Sequence, residues 1–590
     1  MGRTMAISVE IVSHGRKVRA ARGRILADVL LEAGIPLSVY CRERGLCGKC
    51  FIEILDGPRP AFKEDEEKLL SRRGLNPNHR LACLYALEGN VRVSVPEGSS
   101  SGRMPILSWG VENTAGFDPA VKKYSLEMAK PELRRPESYW DGLEHVLKRP
   151  RLRADLDVVQ RLADLLDNDG SELTAVLHED SEVLALEPGD TTSRSFGLAV
   201  DMGTTTLVMD LVDLNTGRVL DSETSLNSQA AYGADVVSRI SLVFTEPAKA
   251  VQVREAAVND LARMLRLLQD RNRLPAANIY EAVIAGNAAM NHLLLGTPIR
   301  SLALAPFNAV FSVLPPLPAR EVGLAIHPNG RVYVAPNIKS FVGGDISAGL
   351  MAAGFKDKPG TYMFIDLGTN GEIVLKKGAA LLASSTAAGP AFEGMNISQG
   401  MIALPGAIYR AENKDGFEVL TVGGGPARGI CGTGLIDLAA VGLARGLITP
   451  QGAITAPGKK ITVAAGVYLD QKDVRELQLA AAAVKSGMRM MLQANGLTAA
   501  DLDGLLIAGA FGSYLDTAKA AALGLLPSIE PGRITFLGNT SLAGARLLLL
   551  SLETRRRLET LVKDIEHFSL ASQPAFQETF ISSLEFGPWA

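Results

Sequence analysis

The chain has 590 residues, room for several domains at roughly 150 residues each. It is 47% apolar and 21% charged, which supplies sizeable cores and excludes global disorder. A net charge of −3 argues against a dedicated nucleic-acid binder, the longest leucine run (Leu547 to Leu550) is far short of a membrane span, and the start of the chain shows no apolar segment with a small-residue cleavage site, so neither a membrane nor a secreted protein is expected and the cytoplasm is the expected setting.

Residues 1–95 are predicted to form a small β-rich domain. Residues 6–12 alternate like a strand, 25–33 have helical apolar spacing and stop at Gly34, and 50–55 and 91–95 read as further strands. Residues 96–121 have linker composition, opening with Pro96-Glu-Gly-Ser-Ser-Ser-Gly and running through Asp118-Pro119. Residues 122–194 read as a small α/β middle domain that positions its neighbours, with a strand over 124–130 and helices over 136–147 and 155–166. Its Lys122, Lys123 and Lys130 read as a solvated face, with partner contact as the alternative. Residues 195–590 form the largest unit, in which strand, glycine-rich turn, strand and helix recur.

Four of the five cysteines, Cys41, Cys47, Cys50 and Cys83, lie within 43 positions. An odd cysteine count with no signal peptide speaks against a disulfide framework. Five, two and 32 residues separate the four in turn. Three thiolates in a short loop containing Gly45 and Gly48, with a fourth from a distant segment, suit a 2Fe–2S cluster, because such a loop curls round the sulfides and points N–H groups at them. A zinc site is the competing reading, but zinc sites more often pair two short Cys-x2-4-Cys units. Residues 1–95 carry 16 Lys and Arg against 11 Asp and Glu, a net +5 that leaves −8 for the remainder. A basic rim including Arg42, Arg44 and Lys49 suits an acidic electron donor; an ordinary solvated surface is the alternative. Cys431, between Gly429 and Gly434, reads as a small residue in a tight turn.

Two segments resemble each other. Phe196 to Asp201 is an apolar strand ending in Asp201-Met-Gly203-Thr204-Thr205-Thr206, and Tyr362 to Asp366 ends in Asp366-Leu-Gly368-Thr369-Asn370-Gly371. Such a turn cradles phosphate with its N–H groups and hydroxyls, while the aspartate holds hydrated Mg²⁺ or orders water. Two of them, 165 positions apart, suggest related lobes facing one cleft. Val283-Ile-Ala-Gly286-Asn287 leads a buried strand into a helix, Leu505 to Gly509-Ala-Phe-Gly512-Ser513 ends another strand in small residues, and Val422-Gly423-Gly424-Gly425 is a further turn. Asp345 is expected to cap a helix near Ser347 rather than to assist catalysis, Glu393 to reach the site or cap a turn, and His292 to be a packed helix residue.

The cysteine region resembles 2Fe–2S ferredoxin domains with five residues between the first two cysteines. The later segments resemble, in order, the phosphate 1, connecting, phosphate 2 and adenosine elements of the actin, sugar-kinase and Hsp70 ATPase superfamily. With Val342-Gly-Gly-Asp345-Ile-Ser-Ala-Gly349, Gly389-Pro-Ala-Phe-Glu393-Gly394 and Asp473-Val-Arg-Glu-Leu-Gln-Leu479, the chain resembles over nearly its whole length the reductive activators of corrinoid proteins. It lacks cysteines after Cys431, unlike the branch with C-terminal 4Fe–4S sites.

The resemblance implies a multidomain α/β chain: a β-grasp 2Fe–2S domain, a small α/β middle domain and a two-lobed actin-like (ASKHA, ribonuclease H-like) ATPase. It implies ATP-dependent reduction of inactive Co(II) corrinoid to Co(I) on a methyl-carrier protein, with an unidentified low-potential donor and a homodimer. Cys41, Cys47, Cys50 and Cys83 then hold the cluster. Asp201 and Asp366 are the catalytic carboxylates around Mg²⁺. Gly203, Thr204, Thr205, Thr206, Asn287, Gly368, Thr369 and Asn370 are the expected nucleotide-binding residues, with Thr204, Thr205, Gly368 and Thr369 on phosphate, and Gly509 and Gly512 border the adenosine. An ATP-driven reductase of another low-potential acceptor and a small-molecule kinase with a ferredoxin domain are the alternatives.

Overall fold

A computed structural model of the chain describes residues 6–33, 35, 50–62, 66–67, 70, 78–96, 116–130, 136–168, 170–233, 235–368, 370–394, 396–401, 403, 406–414, 416–509 and 515–589. Of the expected site residues, Cys41, Cys47, Thr369 and Gly512 lie outside the described residues, as do the basic loop residues Arg42, Arg44 and Lys49 and most of the expected linker.

The first unit is a five-stranded sheet in the order β2-β1-β5-β3-β4, from β1 (Ala6–Ile11), β2 (Arg16–Ala21), β3 (Phe51–Asp56), β4 (His79–Leu81) and β5 (Val91–Ser94). Alternation along β1 buries Ile7, Val9 and Ile11, and the helix Leu26–Glu32 adds Leu26 and Leu30 to the same core. The β1–β2 hairpin, one helix and the parallel β1–β5 pairing make a β-grasp fold. Arg80 and Glu66 form a buried two-pronged ion pair at 2.9 Å, with Arg80 over the Phe62 and Tyr85 rings.

The second unit is a four-stranded sheet, order β6-β8-β9-β7, from β6 (Val121–Glu127), β7 (Arg153–Ala154), β8 (Glu172–His178) and β9 (Glu182–Pro188), with helices Tyr139–Leu147 and Leu156–Asn168. The β8–β9 hairpin has no counterpart among the sequence expectations. Residues 173–178 and 183–186 are buried on both faces, so they carry no alternation to read. Leu173, Ala175 and Leu177 face the unit's own helices, whereas Val176, Leu184 and Ala185 join a core shared with the main body. Asp118, at the end of the expected linker, is tied down: its N–H donates to Leu550 O and its carbonyl accepts from Leu552 N–H, both at 2.9 Å. The three lysines are not one solvated face. Lys123 is 1% exposed and paired with Glu187 at 2.7 Å, Lys122 pairs with Asp118 and Asp180, and only Lys130 is largely exposed.

The main body contains two six-stranded sheets built alike. The first has the order β12-β11-β10-β13-β15-β14, from β10 (Phe196–Met202), β11 (Thr206–Asp213), β12 (Val219–Leu226), β13 (Ile279–Gly286), β14 (Leu317–Pro318) and β15 (Arg331–Val334). The second lobe starts with β16 (Thr361–Leu367), β17 (Gly371–Lys377) and β18 (Ala380–Thr386). It then inserts a three-stranded sheet of β19 (Ala407–Lys414), β20 (Gly416–Thr421) and β21 (Gly429–Ile430), and a hairpin of β22 (Lys460–Ala464) and β23 (Val467–Asp470). It closes with β24 (Gly504–Ala508), β25 (Ile534–Gly538) and β26 (Ile565–His567), giving the order β25-β24-β16-β17-β18-β26. In each sheet an antiparallel meander pairs its first strand in parallel with a fourth, and the fourth with a fifth.

Two helices, Gly344–Ala352 after the first sheet and Thr540–Leu550 after the second, cross between the lobes. A Cβ on Gly544 would lie 2.1 Å from Ala348 O, and one on Gly349 would lie 2.7 Å from Thr540 Oγ1, so the crossing is closer than any side chain allows. This pair joins the lobes; the segment 283–287, expected to lead a buried strand into a helix, does so as the end of β13 and the cap of the helix Ala288–Leu295. Both helices are buried on most sides and show no amphipathic stripe to announce them.

The middle unit is anchored by charge as well as by apolar packing. Arg331 pairs with Glu182, Tyr280 donates to Glu187, and the buried Glu281 meets Arg555 at 2.8 Å and His178 at 3.3 Å. Burial pushes the Glu281 carboxyl up, but Arg555 and His178 outweigh it and hold it at about 2. Its contribution to stability is therefore present above the unfolded carboxylate pKa and is lost as pH falls toward 2. Glu281→Gln strands the buried Arg555 charge and should cost roughly 3 kcal/mol. Thermal unfolding of the full chain at pH 7 checks this, and the deficit relative to wild type should shrink as pH falls below about 4.

Candidate functional site

The site follows from strand alternation. On β10, Leu198, Val200 and Met202 face the outer core of the first lobe and Ala199 faces the shared core, so Asp201 points inward. On β16, Met363, Ile365 and Leu367 face outward and Phe364 inward, which places Asp366 on the inner face too. Glu372, paired across the hairpin from Asp366, shares that face with Val374.

The two aspartates meet a set of acidic neighbours. Asp201 accepts from Asn539 Nδ2 and Ser541 Oγ, both at 2.8 Å. Burial raises its carboxyl, and these two bonds oppose the rise. Burial, then the charges of Asp201 and Glu393, push Asp366 up to about 7. Burial, then Asp366, push Asp345 up to about 8. Burial, Asp345 and Asp366 raise Glu372 well above the carboxylate range. Among the described residues, Asp201, Asp345, Asp366 and Glu372 take part in no ion pair. A hard divalent cation would relieve this mutual repulsion, although among the described residues no three acidic side chains are drawn together as a ready metal cluster.

Asp345 does not cap its helix. Gly343 occupies the cap position, and Asp345 sits inside the first turn, accepting only from Ile346 N–H at 2.8 Å. The cap is glycine because the backbone passes hard against the next element: a Cβ on Gly343 would lie 2.3 Å from Ala288 N. Glu393 accepts from the Thr205 hydroxyl, 188 positions away, bridging the lobes.

The first turn is held from behind. Its carbonyls are all occupied: Gly203 O accepts from Asn227 Nδ2 at 2.9 Å, Thr204 O from Arg239 Nη2 at 2.6 Å, Thr205 O from Asn227 N–H at 2.9 Å and Thr206 O from Gly203 N–H at 3.1 Å. Asn287 caps the helix Ala288–Leu295 and donates to Thr204 Oγ1 at 3.0 Å, so it braces the turn. In the second turn Gly368 N–H donates to Asn370 O at 3.1 Å. Gly509, with φ +94°, lies where a Cβ would come 2.9 Å from Asp366 Oδ1, so its contact is with the second aspartate. The structure thus brings together Asp201, Gly203, Thr204, Thr205, Thr206, Asn287, Asp366, Gly368, Asn370 and Gly509.

Asn539, Ser541, Glu372, Asn227 and Arg239 were not among the expected site residues. A strand end running into Gly538-Asn539-Thr540-Ser541 is a readable helix start, and Glu372 follows the second turn directly. Asn227 and Arg239 carry no such signal. His292 is packed as expected: it is 0% exposed, accepts from Val310 N–H at 2.8 Å and stacks on Phe311. Cys431 is a buried cap residue whose N–H donates to Ile408 O.

In the first unit, Cys50 precedes β3 and Cys83 follows β4. The antiparallel pairing of Phe51 with Leu81 makes these ends neighbours, and Ala82 N–H donates to Cys50 O at 2.8 Å. Both cysteines are buried, at 0% and 1% exposure. Two buried cysteines brought to neighbouring strand ends from 33 positions apart supply soft thiolate donors of the kind iron–sulfur ligation uses.

Four family models match the chain in succession: a 2Fe-2S iron-sulfur cluster binding domain over residues 9–88, the RACo linker region over 110–193, the RACo middle region over 196–358 and the C-terminal ASKHA domain of RACo over 360–588. The chain is 30% identical to the corrinoid activation enzyme RamQ of Eubacterium limosum, covering 97% of this chain and 98% of that one. It is 28% identical to the Co(II) methylated amine-specific corrinoid protein reductase of Methanosarcina barkeri, over 66% of this chain and 77% of that one. A solved reductive activator for corrinoid, iron-sulfur protein shares the fold with a TM-score of 0.76 and 31% identity over 98% of each chain. With this agreement in sequence and fold over nearly the full length, the chain belongs to the reductive activators of corrinoid proteins.

Proposed function

We propose that this chain uses ATP to drive one-electron reduction of an inactive Co(II) corrinoid on a methyl-carrier protein, returning it to Co(I). The observation that carries the reading is the pairing of two devices in one chain: two lobes that present Asp201 and Asp366 to one cleft, and a β-grasp unit with Cys50 and Cys83 buried side by side. Residues 1–95 are the electron-carrying domain, 96–121 the linker, 122–194 the middle domain and 195–590 the ATPase.

Cys41, Cys47, Cys50 and Cys83 hold the 2Fe–2S cluster, which when bound supplies single-electron transfer. Asp201 and Asp366 hold Mg²⁺ and order the attacking water; Asn539 and Ser541 fix the rotamer of Asp201 for this task. Gly203, Thr204, Thr205, Thr206, Gly368, Thr369 and Asn370 cradle the phosphates, braced by Asn287, and Gly509 and Gly512 border the rest of the nucleotide. Closure of the lobes on ATP clamps the corrinoid partner, and opening after hydrolysis releases it.

The energetic need is clear from the potentials. Plant-type ferredoxin centres lie near about −400 mV, and the Co(II)/Co(I) couple is expected lower. Each 100 mV of such a gap is about 2.3 kcal/mol for one electron, within reach of a nucleotide-driven conformational step. An unidentified low-potential donor supplies the electron, and a homodimer in the cytoplasm is the setting the family resemblance supports.

The anaerobic protein, mixed with a Co(II) corrinoid methyl-carrier protein and a low-potential reductant, should show the Co(I) absorption band only when ATP is added. Absence of that band with ATP, despite an intact 2Fe–2S spectrum, would sink the reading. Asp201→Ala should abolish ATP-driven activation while leaving the cluster spectrum unchanged. Cys50→Ala should do the reverse, with iron content falling and nucleotide binding kept; iron analysis and calorimetric titration of each variant check the pair.

A further inference from the structure

Arg239 is the largest fully buried side chain in the described structure, with 0% exposure. Its guanidinium has no carboxylate partner among the described residues. Nη2 donates to Thr204 O at 2.6 Å, Nε to Gly233 O at 2.8 Å, and Nη1 lies 3.5 Å from Gln229 Oε1 and 3.3 Å from Met290 Sδ. Burying a cation without a counter-ion is costly. The local fold adds to that cost. Arg239 stands in the first turn of the helix Val236–Thr245, whose N-terminus repels positive charge and already has its cap in the Asp235–Ser238 box.

Apolar packing does not explain such a residue, because a leucine or methionine would fill the volume without the charge. What Arg239 touches does. Its fork pulls on Thr204 O, the carbonyl at the centre of the first turn, while Asn227 takes the carbonyls on either side. All three carbonyls are thus engaged by Arg239 and Asn227, while the Gly203 N–H is taken by Thr206 O within the turn. Burial lowers the guanidinium to about 10, still protonated at neutral pH, and the charges it feels are Asp235 and, at the cleft, Glu393. Glu393 in turn accepts from the Thr205 hydroxyl of the same turn.

We propose that Arg239 is the positioning residue of the first phosphate turn: it aims the turn's amides into the cleft and sets an uncancelled positive charge behind them, so that affinity depends on the charge of the nucleotide's phosphate chain. This rests on the reading of the cleft as an ATP site. The helix Val236–Thr245 and the turn Ser228–Tyr232 are thereby part of the nucleotide site.

The test compares ATP, ADP and adenosine by calorimetric titration of the full chain, as wild type, Arg239→Lys and Arg239→Met. Wild type should bind ATP more tightly than adenosine. Arg239→Met should lose at least about tenfold in ATP affinity, less for ADP, and under about threefold for adenosine. Arg239→Lys, which keeps the charge but not the fork, should stay within roughly threefold of wild type for ATP. Parallel loss of ATP and adenosine affinity, or an unchanged ATP affinity in Arg239→Met, overturns the role. If Arg239→Met does not fold, Arg239→Lys decides: it must keep the wild-type preference for ATP over adenosine, and a lost preference overturns the proposal. Wild type that binds none of the three ligands overturns the nucleotide site itself, which separates that failure from this one.

Discussion

The crossing of the helices Gly344–Ala352 and Thr540–Leu550 is the contact on which the rest of the molecule depends. Glycine and alanine at the crossing let the two backbones approach until a single added Cβ on Gly544 would strike Ala348 O. Each helix grows from the fifth strand of its own sheet and delivers side chains to the other lobe. The helix from the first lobe carries Asp345, whose carboxyl is raised by burial and then by the charge of Asp366 of the second. The helix from the second lobe follows Asn539 and carries Ser541, and these two hold Asp201 of the first. Arg546 on the same helix pairs with Asp210 on β11 at 2.5 Å. Neither aspartate therefore has a complete environment until the lobes are packed together, and a change in the crossing reaches both at once.

The cleft is held in a state of electrostatic tension. Four carboxyl groups sit where protein displaces water, with no ion pair to relieve them among the described residues; burial raises all four, and the charges of Asp201, Asp345 and Asp366 raise neighbours further. On the facing wall Arg239 lies buried without a carboxylate of its own. The proposed ligand, a polyphosphate with a divalent cation, is one that would offer positive charge to the carboxylates and negative charge to the turn in front of the guanidinium.

The middle unit docks on the first lobe and on the segment that follows the second lobe's crossing helix. Its sheet lends Val176, Leu184 and Ala185 to the shared core, and His178 reaches Glu281 on β13, the strand that runs on to Asn287. Arg555, which completes that buried group, follows the crossing helix of the second lobe by a few residues. The β-grasp unit has a core of its own, with Cys50 and Cys83 at the end of the sheet where β3 and β4 pair. The cysteine pair and the acidic site between the lobes thus sit on separate cores.

Local pattern was enough for the parts whose chemistry is local. The alternation of β10 and β16 puts Asp201 and Asp366 on inner faces, the glycines and threonines after them form the turns, and cysteine spacing marks a metal-binding loop, because each of these depends on residues within a few positions of one another. Family resemblance extended this to the architecture. What only the tertiary structure decided are contacts between distant segments: Asn539 and Ser541 on Asp201 across more than 330 positions, Glu393 on Thr205, Arg239 behind Thr204, and the docking of the middle unit. Asp345 shows the difference plainly. An aspartate just ahead of a helical run looks like a cap, yet the close approach of Gly343 to the backbone at Ala288 starts that helix earlier and turns the carboxylate into the cleft. Such contacts have no period and no spacing rule; they are set by which surfaces the packed cores bring together.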